Sequence, residues 1–168
     1  MLLGNPYKFA LFIQTVKEWN IDEVFCNGVL LFFINGNIYP KEILTSTLSC
    51  EINILNEKFK NIAFNEEIFY KEKEKAFKQI YNITFPEDIS LNNDYQFDIT
   101  PLSFSDEDYY IFAVSNNIQI RILAAKLEYI KENSRHILEN IIIDETFISI
   151  NDMKEISNKL NKYKINIL

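Results

Sequence analysis

Two Asn-Gly dipeptides, Asn27-Gly28 and Asn35-Gly36, bracket the longest uninterrupted apolar run in the chain, Val29–Ile34. Asn-Gly tolerates the positive φ angles of a two-residue type I′ hairpin turn, and an apolar run of that length suits a strand. The simplest reading is an antiparallel meander of Glu23–Cys26, Val29–Ile34 and Asn37–Tyr39. Pro40 ends it, because proline cannot donate to a ladder. Before the meander, Lys8–Val16 is short and rich in apolar residues. It reads as a buried strand, although a helix satisfies so short a pattern too.

Downstream the periodicity changes twice. From Thr47 to Leu55, Leu48, Cys50, Ile52 and Ile54 alternate with polar residues, which predicts a half-buried strand. From Glu66 to Tyr81, Phe69, Ala76, Phe77 and Ile80 recur at helical spacing between Lys and Glu. That predicts one amphipathic helix, with Asn65 as its cap. Tyr95–Ile99, Tyr109–Ser115 and Ile118–Tyr129 read as strands, with Asn116-Asn117 as a turn, and Ile141–Ile143 as one more. The chain closes with a helix capped by Asn151 or Asp152 and running to about Tyr163. Its apolar stripe is Met153, Ile156, Leu160 and Tyr163, and Lys159, Lys162 and Lys164 suit its negative end. Strands and helices are segregated, so the expected class is α+β: an antiparallel sheet of hairpins, one helix in the middle and one at the C-terminus. No repeat or linker divides the 168 residues, and a single domain is expected.

Charge narrows the function. Seventeen basic residues against 24 acidic ones leave −7, which disfavours a nucleic-acid reader or a binder of anionic membranes. The imbalance is local. No basic residue lies between Lys78 and Arg121, a stretch that carries Glu87, Asp88, Asp94, Asp98, Asp106, Glu107 and Asp108. Tyr95, Tyr109 and Tyr110 lie among these acids. The stretch is either a set of solvated turn residues, with Tyr109 directed into the core, or a partner-facing patch with tyrosine anchors.

Motifs for chemistry are scarce. Three glycines leave no room for a phosphate-cradling loop. Asp106-Glu107-Asp108 is contiguous, without the spaced ligands and turning glycine of a calcium loop, and no metal or cofactor is expected. His136 is the chain's one histidine; it has no His or Cys partner nearby in sequence and reads as structural. Cys26 and Cys50 do not form a Cys-x-x-Cys pair and read as reduced core thiols. Trp19 reads as a core residue or an interface anchor, and Glu72–Lys75 as a solvated helix face. The N-terminus lacks a basic region ahead of an apolar segment, and no apolar run approaches the ~20 residues of a membrane span. A cytoplasmic protein is expected.

One resemblance goes further. Gly4-Asn5-Pro6-Tyr7-Lys8-Phe9-Ala10, Trp19-Asn20, Asn27-Gly28-Val29-Leu30, Ile34-Asn35-Gly36, Tyr39-Pro40-Lys41-Glu42-Ile43 and Thr45-Ser46-Thr47-Leu48 resemble the Immunity protein 42 family of bacterial polymorphic toxin systems. A weaker likeness continues through Tyr110–Val114 and Arg121–Leu123, whereas Asn56–Leu91 matches nothing. The resemblance implies a non-catalytic protein that binds a cognate toxin domain and blocks it. It makes Gly4, Asn5, Pro6, Trp19, Gly28, Gly36, Tyr39 and Pro40 fold-setting residues. The candidate toxin surface is Asp94, Asp98, Asp106, Glu107 and Asp108 with Tyr95, Tyr109 and Tyr110. Such a surface would suit a basic, nuclease-like toxin. The alternatives are a small carboxylate-dependent hydrolase of the cytosol and an accessory interaction subunit.

Overall fold

The computed structural model of the chain describes residues 1–20, 25–88, 90–132 and 134–167, the last four by their backbone alone. Its first part forms a five-stranded antiparallel sheet of β1 (Leu2–Gly4), β2 (Phe9–Thr15), β3 (Asn27–Ile34), β4 (Asn37–Tyr39) and β5 (Ser46–Thr47). The order is β1-β2-β3-β4, with β5 also on β3. Along β3, Leu30, Phe32 and Ile34 are buried, while Val29, Leu31 and Phe33 are only half-buried. The apolar run therefore alternates faces.

Asn35-Gly36 turns as expected: φ of 52° and 82° at the two residues closes the β3–β4 hairpin. Asn27-Gly28 does not turn. Both residues belong to β3, and Gly28 pairs with Thr15. A Cβ there would collide with the Gln14 carbonyl oxygen and come within 2.7 Å of Leu48 Cδ1. Glycine is needed here for close approach, not for a turn. Of the strand expected at Glu23–Cys26, Glu23 and Val24 lie outside the described residues, and Cys26 joins no ladder.

The segment expected as a strand at Thr47–Leu55 is helical: α1 spans Leu48–Lys60. Leu48, Ile52, Leu55 and Phe59 fall on one buried face at three- and four-residue spacing. This helix packs along the C-terminal helix, Ile150–Ile167. Asn56 of α1 exchanges hydrogen bonds across the contact with Ser157 and Asn161. The cap of the C-terminal helix is Ser149, upstream of the expected Asn151 or Asp152. Its Oγ accepts the Asp152 N–H at 3.0 Å, and Asp152 Oδ2 accepts the Ser149 N–H at 3.2 Å in return.

The helix expected over Glu66–Tyr81 is two helices, α2 (Glu66–Tyr70) and α3 (Lys73–Thr84), with extended backbone at Lys71. Asn65 caps the first, accepting the Ile68 N–H at 2.9 Å. The break follows from Arg121, whose Nη1 donates to the carbonyls of Ile68, Phe69 and Lys71 at 3.2, 2.8 and 2.7 Å. Tyr95–Ile99 is not a strand; only Asp98 forms a bridge, to Phe112. A short α4 follows at Leu102–Ser105.

The second sheet comprises β6 (Tyr109–Ser115), β7 (Gln119–Lys126) and β10 (Asp144–Ser149), in the order β10-β7-β6. Between β7 and β10, β8 (Glu128–Ile130) and β9 (Arg135–Ile137) form a small hairpin. The strand expected at Ile141–Ile143 is absent; the chain pairs three residues later, through Thr146 and Ile148 as buried positions of β10. Every residue of β6 is buried. Tyr109, Ile111 and Ala113 face a core shared with the first sheet, α1 and the C-terminal helix, α5 (Ile150–Ile167). Tyr110, Phe112 and Val114 face a second core beneath α2 and α3. The class is α+β as expected, with two antiparallel sheets and a separate hairpin.

Candidate functional site

The acidic stretch does not form one continuous face. Asp98 turns inward and accepts from Lys58 Nζ at 2.9 Å, held there by its own bond from the Thr100 N–H at 3.0 Å. Asp94 is half-buried and binds Gln96. Asp106 and Glu107 are exposed on the turn after α4. Asp108 has φ of 62°, which directs its carboxylate toward His136. Tyr95 is exposed, its ring 6.0 Å from that of Phe85. Tyr109 and Tyr110 are buried on opposite faces of β6. Two of the three expected tyrosine anchors are therefore core residues, because each face of β6 is covered by a core, and Tyr110 keeps only 7% of its surface exposed.

Where the stretch meets α3 and the β8–β9 hairpin, a cleft of about 430 Å³ opens. Tyr81, Phe85, Tyr110, Tyr129 and His136 line it, with Glu87 and Arg135 among the remaining lining residues. Helix α3 contributes Tyr81 from its last turn, and β9 contributes His136. Tyr81 Oη lies 2.7 Å from His136 Nδ1, and Asp108 Oδ1 lies 2.8 Å from Nε2. A carboxylate only accepts, so a neutral imidazole carries its proton on Nε2 and accepts from Tyr81 at Nδ1. The rings meet largely edge to face: Tyr81 with Tyr110 at 5.4 Å and 84°, and Tyr110 with His136 at 5.2 Å and 76°. Burial, reinforced by the carboxylates of Asp108 and Asp98, pushes the Tyr110 phenol up to about 12. Burial raises Tyr81 as well, helped by Tyr110 and Asp108. Both stay protonated donors at neutral pH. Glu87 Oε2 pairs with Arg135 Nη1 at 3.2 Å, in the open, at the edge of this aromatic cluster.

Sequence reasoning placed His136 as a lone structural residue and missed the cluster. Its partners lie 28 and 55 positions away, on elements whose approach no local pattern encodes.

The family-motif residues set turns and seams. Gly4, at φ of 95°, leaves room for the Phe9 carbonyl and Ile156 of α5. Asn5 Oδ1 accepts the Tyr7 N–H at 3.0 Å, and the Pro6 carbonyl accepts from Gly36 at 3.0 Å. Trp19 sits at the rim, and its carbonyl accepts from Asn27 Nδ2 at 3.1 Å. The Tyr39 hydroxyl donates to Asp144 at 2.5 Å, joining the two sheets just before Pro40. Next to it Tyr109 donates to Glu42 at 2.5 Å, under the Lys126 ammonium 4.6 Å from its ring centre. Burial raises the Tyr109 phenol, and the bond from Tyr109 holds the Glu42 carboxyl below its usual range.

Cys26 is half-buried and within 3.6 Å of Thr15 Oγ1, whereas Cys50 lies on the exposed face of α1 and is not the core thiol expected. Among the described residues no three His, Cys, Asp or Glu side chains converge as metal ligands. No helix among them is long and apolar enough to cross a membrane.

Residues 1–163 match the family described as Immunity protein 42. Among solved structures, the crystal structure of CdiI from Burkholderia dolosa AUO158 is similar, with a TM-score of 0.77 at 26% identity. The likeness covers 97% of this chain and 99% of that one. No curated protein matches the chain.

Proposed function

The chain belongs to the Immunity protein 42 family and is an immunity protein that neutralises a cognate toxin, and we propose that it does so in the cytoplasm as a non-catalytic, stoichiometric binder. In this reading the protein covers the toxin's working surface and no bond is made or broken. The observation that supports the reading is the exposed acidity around the cleft. Glu87 lines the cleft, and Asp106 and Glu107 are exposed on the turn that leads to Asp108, the carboxylate bonded to His136. A basic toxin, such as a nuclease, would approach this side faster and in a preferred orientation. The inward Asp98 and the His-paired Asp108 then serve to fix the segment that presents the others.

The test is co-expression with the open reading frame immediately upstream, read by growth and by co-purification. Rescue of growth with an equimolar complex supports the proposal. A harmless neighbour, or rescue without a complex, overturns it.

A further inference from the structure

The cleft at the α3–hairpin junction is rich in aromatic side chains. Four aromatic side chains, Tyr81, Phe85, Tyr110 and Tyr129, line it beside the imidazole of His136. Tyr129 stays 44% exposed although its ring lies 5.1 Å from that of His136. Among the described lining residues Glu87 is the only carboxylate and Arg135 the only guanidinium, which Glu87 already engages. Rings that present a negative quadrupole, close to a carboxylate, select a cation, and a planar guanidinium best of all. The exposed Glu87–Arg135 pair shows that a guanidinium fits at this edge. Being 69% and 54% exposed, it is a weak pair that an incoming group can displace at little cost.

We infer that this aromatic cleft is a receptor for an arginine side chain of the toxin, with Glu87 exchanging Arg135 for the toxin's guanidinium. The identity of the donor rests on the immunity reading; the cationic selectivity of the cleft does not. The hydrogen-bonded Tyr81–His136–Asp108 chain ties the back of the cleft together, which favours preformed walls for the entering group. An aromatic-walled pocket of this kind is where interface energy concentrates, whereas exposed rim carboxylates mainly act on encounter.

The experiment uses the full chain without toxin. N-acetyl-arginine methylamide, the lysine analogue and the uncharged citrulline analogue are titrated separately. The readout is the pair of carbon-bound imidazole proton signals, which belong to His136 because the chain has no other histidine. Saturable shifts with the arginine probe, in the millimolar range, and none with citrulline are expected. Tyr129→Ala should weaken the arginine probe by roughly fivefold, the weight of one cation–aromatic contact. Glu87→Gln should weaken it by about threefold or more, and Arg135→Gln should strengthen it by removing the internal competitor. Equal response to citrulline, no response in a protein of native circular dichroism, or weaker binding by Arg135→Gln overturns the cation site. An equal lysine response overturns the guanidinium assignment. If the probe binds as expected but Glu87→Gln and Tyr129→Ala leave the affinity for the toxin unchanged, the cleft is no toxin receptor, while the immunity reading stands.

Discussion

Glu51 of α1 accepts the backbone N–H of Ser103, 52 residues away, at 2.8 Å, and its other carboxylate oxygen takes that of Leu102 at 3.0 Å. The residue is only 2% exposed. A buried carboxylate is tolerated because it satisfies two otherwise orphaned donors at the start of α4. Glu51→Ala is expected to cost about 2–4 kcal/mol, and Glu51→Gln less, since an amide oxygen keeps one bond. Urea unfolding measures both. A loss below about 0.5 kcal/mol for the alanine variant would show that the cap carries little stability.

Arg121 offers a stronger case. Its guanidinium binds three carbonyls at the end of α2 and the Glu145 carboxylate at 2.5 Å, and it is almost wholly buried. Arg121→Ala should destabilise by about 3–5 kcal/mol, because Glu145 and the carbonyls lose their partner together. Arg121→Lys should recover less than half of that, as an ammonium cannot span the same fork. Equal stability of the lysine variant and the native chain in denaturant titration would contradict this account.

The glycines differ in what they tolerate. Gly36 has φ of 82° but nothing within 4 Å of an added Cβ, so Gly36→Ala should cost only about 1 kcal/mol of backbone strain. At Gly28 the added Cβ would meet backbone as well as Leu48, and Thr15 Cα stands 2.9 Å away. Gly28→Ala should cost about 1–3 kcal/mol and part α1 from the sheet. Thermal denaturation of the two variants ranks them, and the reverse order would refute the close-approach role of Gly28.

The buried phenols set the alkaline limit. Burial raises Tyr39, Tyr81 and Tyr110, with the Asp144 carboxylate adding to the first. A raised folded pKa means stability that is complete below the ordinary value of about 10 and is lost as pH climbs through the folded values. Tyr39, Tyr81 and Tyr110 should ionise only as the protein unfolds. Part of the phenolate absorbance should therefore rise only with the loss of far-ultraviolet circular dichroism, and complete ionisation while the dichroism is still native would refute the assignment. At the acid end, the lowered Glu42 contributes above about pH 4.5 and loses its contribution as pH falls. Its exposure keeps that contribution small.

For toxin binding, Asp106→Lys with Glu107→Lys should slow association by tenfold or more at low salt and flatten its salt dependence, with little change in dissociation. Adding Asp108→Lys should also loosen His136 and raise the dissociation rate. Stopped-flow association at two ionic strengths tests both. Unchanged rates would remove this turn from the interface.

Strands β2 and β3, the Asn35-Gly36 turn and the apolar stripe of α5 were legible because each satisfies a local rule that tertiary contacts only reinforce. Helix α1 was not. Its alternating residues end at Leu55, while its helical face continues to Phe59 and includes Glu51 and Asn56, polar residues whose burial depends on α4 and α5. The split of α2 from α3 is likewise imposed from outside, by an arginine 50 residues or more along the chain. Of the acidic stretch, charge alone was visible. Which acids turn inward depends on Lys58 and His136, and which tyrosines are buried depends on the two cores flanking β6.

That double burial of β6, shared by β7, whose Ile122 and Ala124 face one core and Leu123 and Ala125 the other, bears on the speed of amide hydrogen exchange. A strand pinned between two cores can release its protons only when both open, so its amides should exchange last in the molecule. Tyr110 brings this strand to the cleft wall, whereas Glu87, Asp106 and Glu107 lie on exposed turns whose amides should exchange sooner. A bound toxin would therefore slow exchange in the turns and leave β6 as it was. Substitutions in those turns could retune the choice of toxin without refolding what lies beneath.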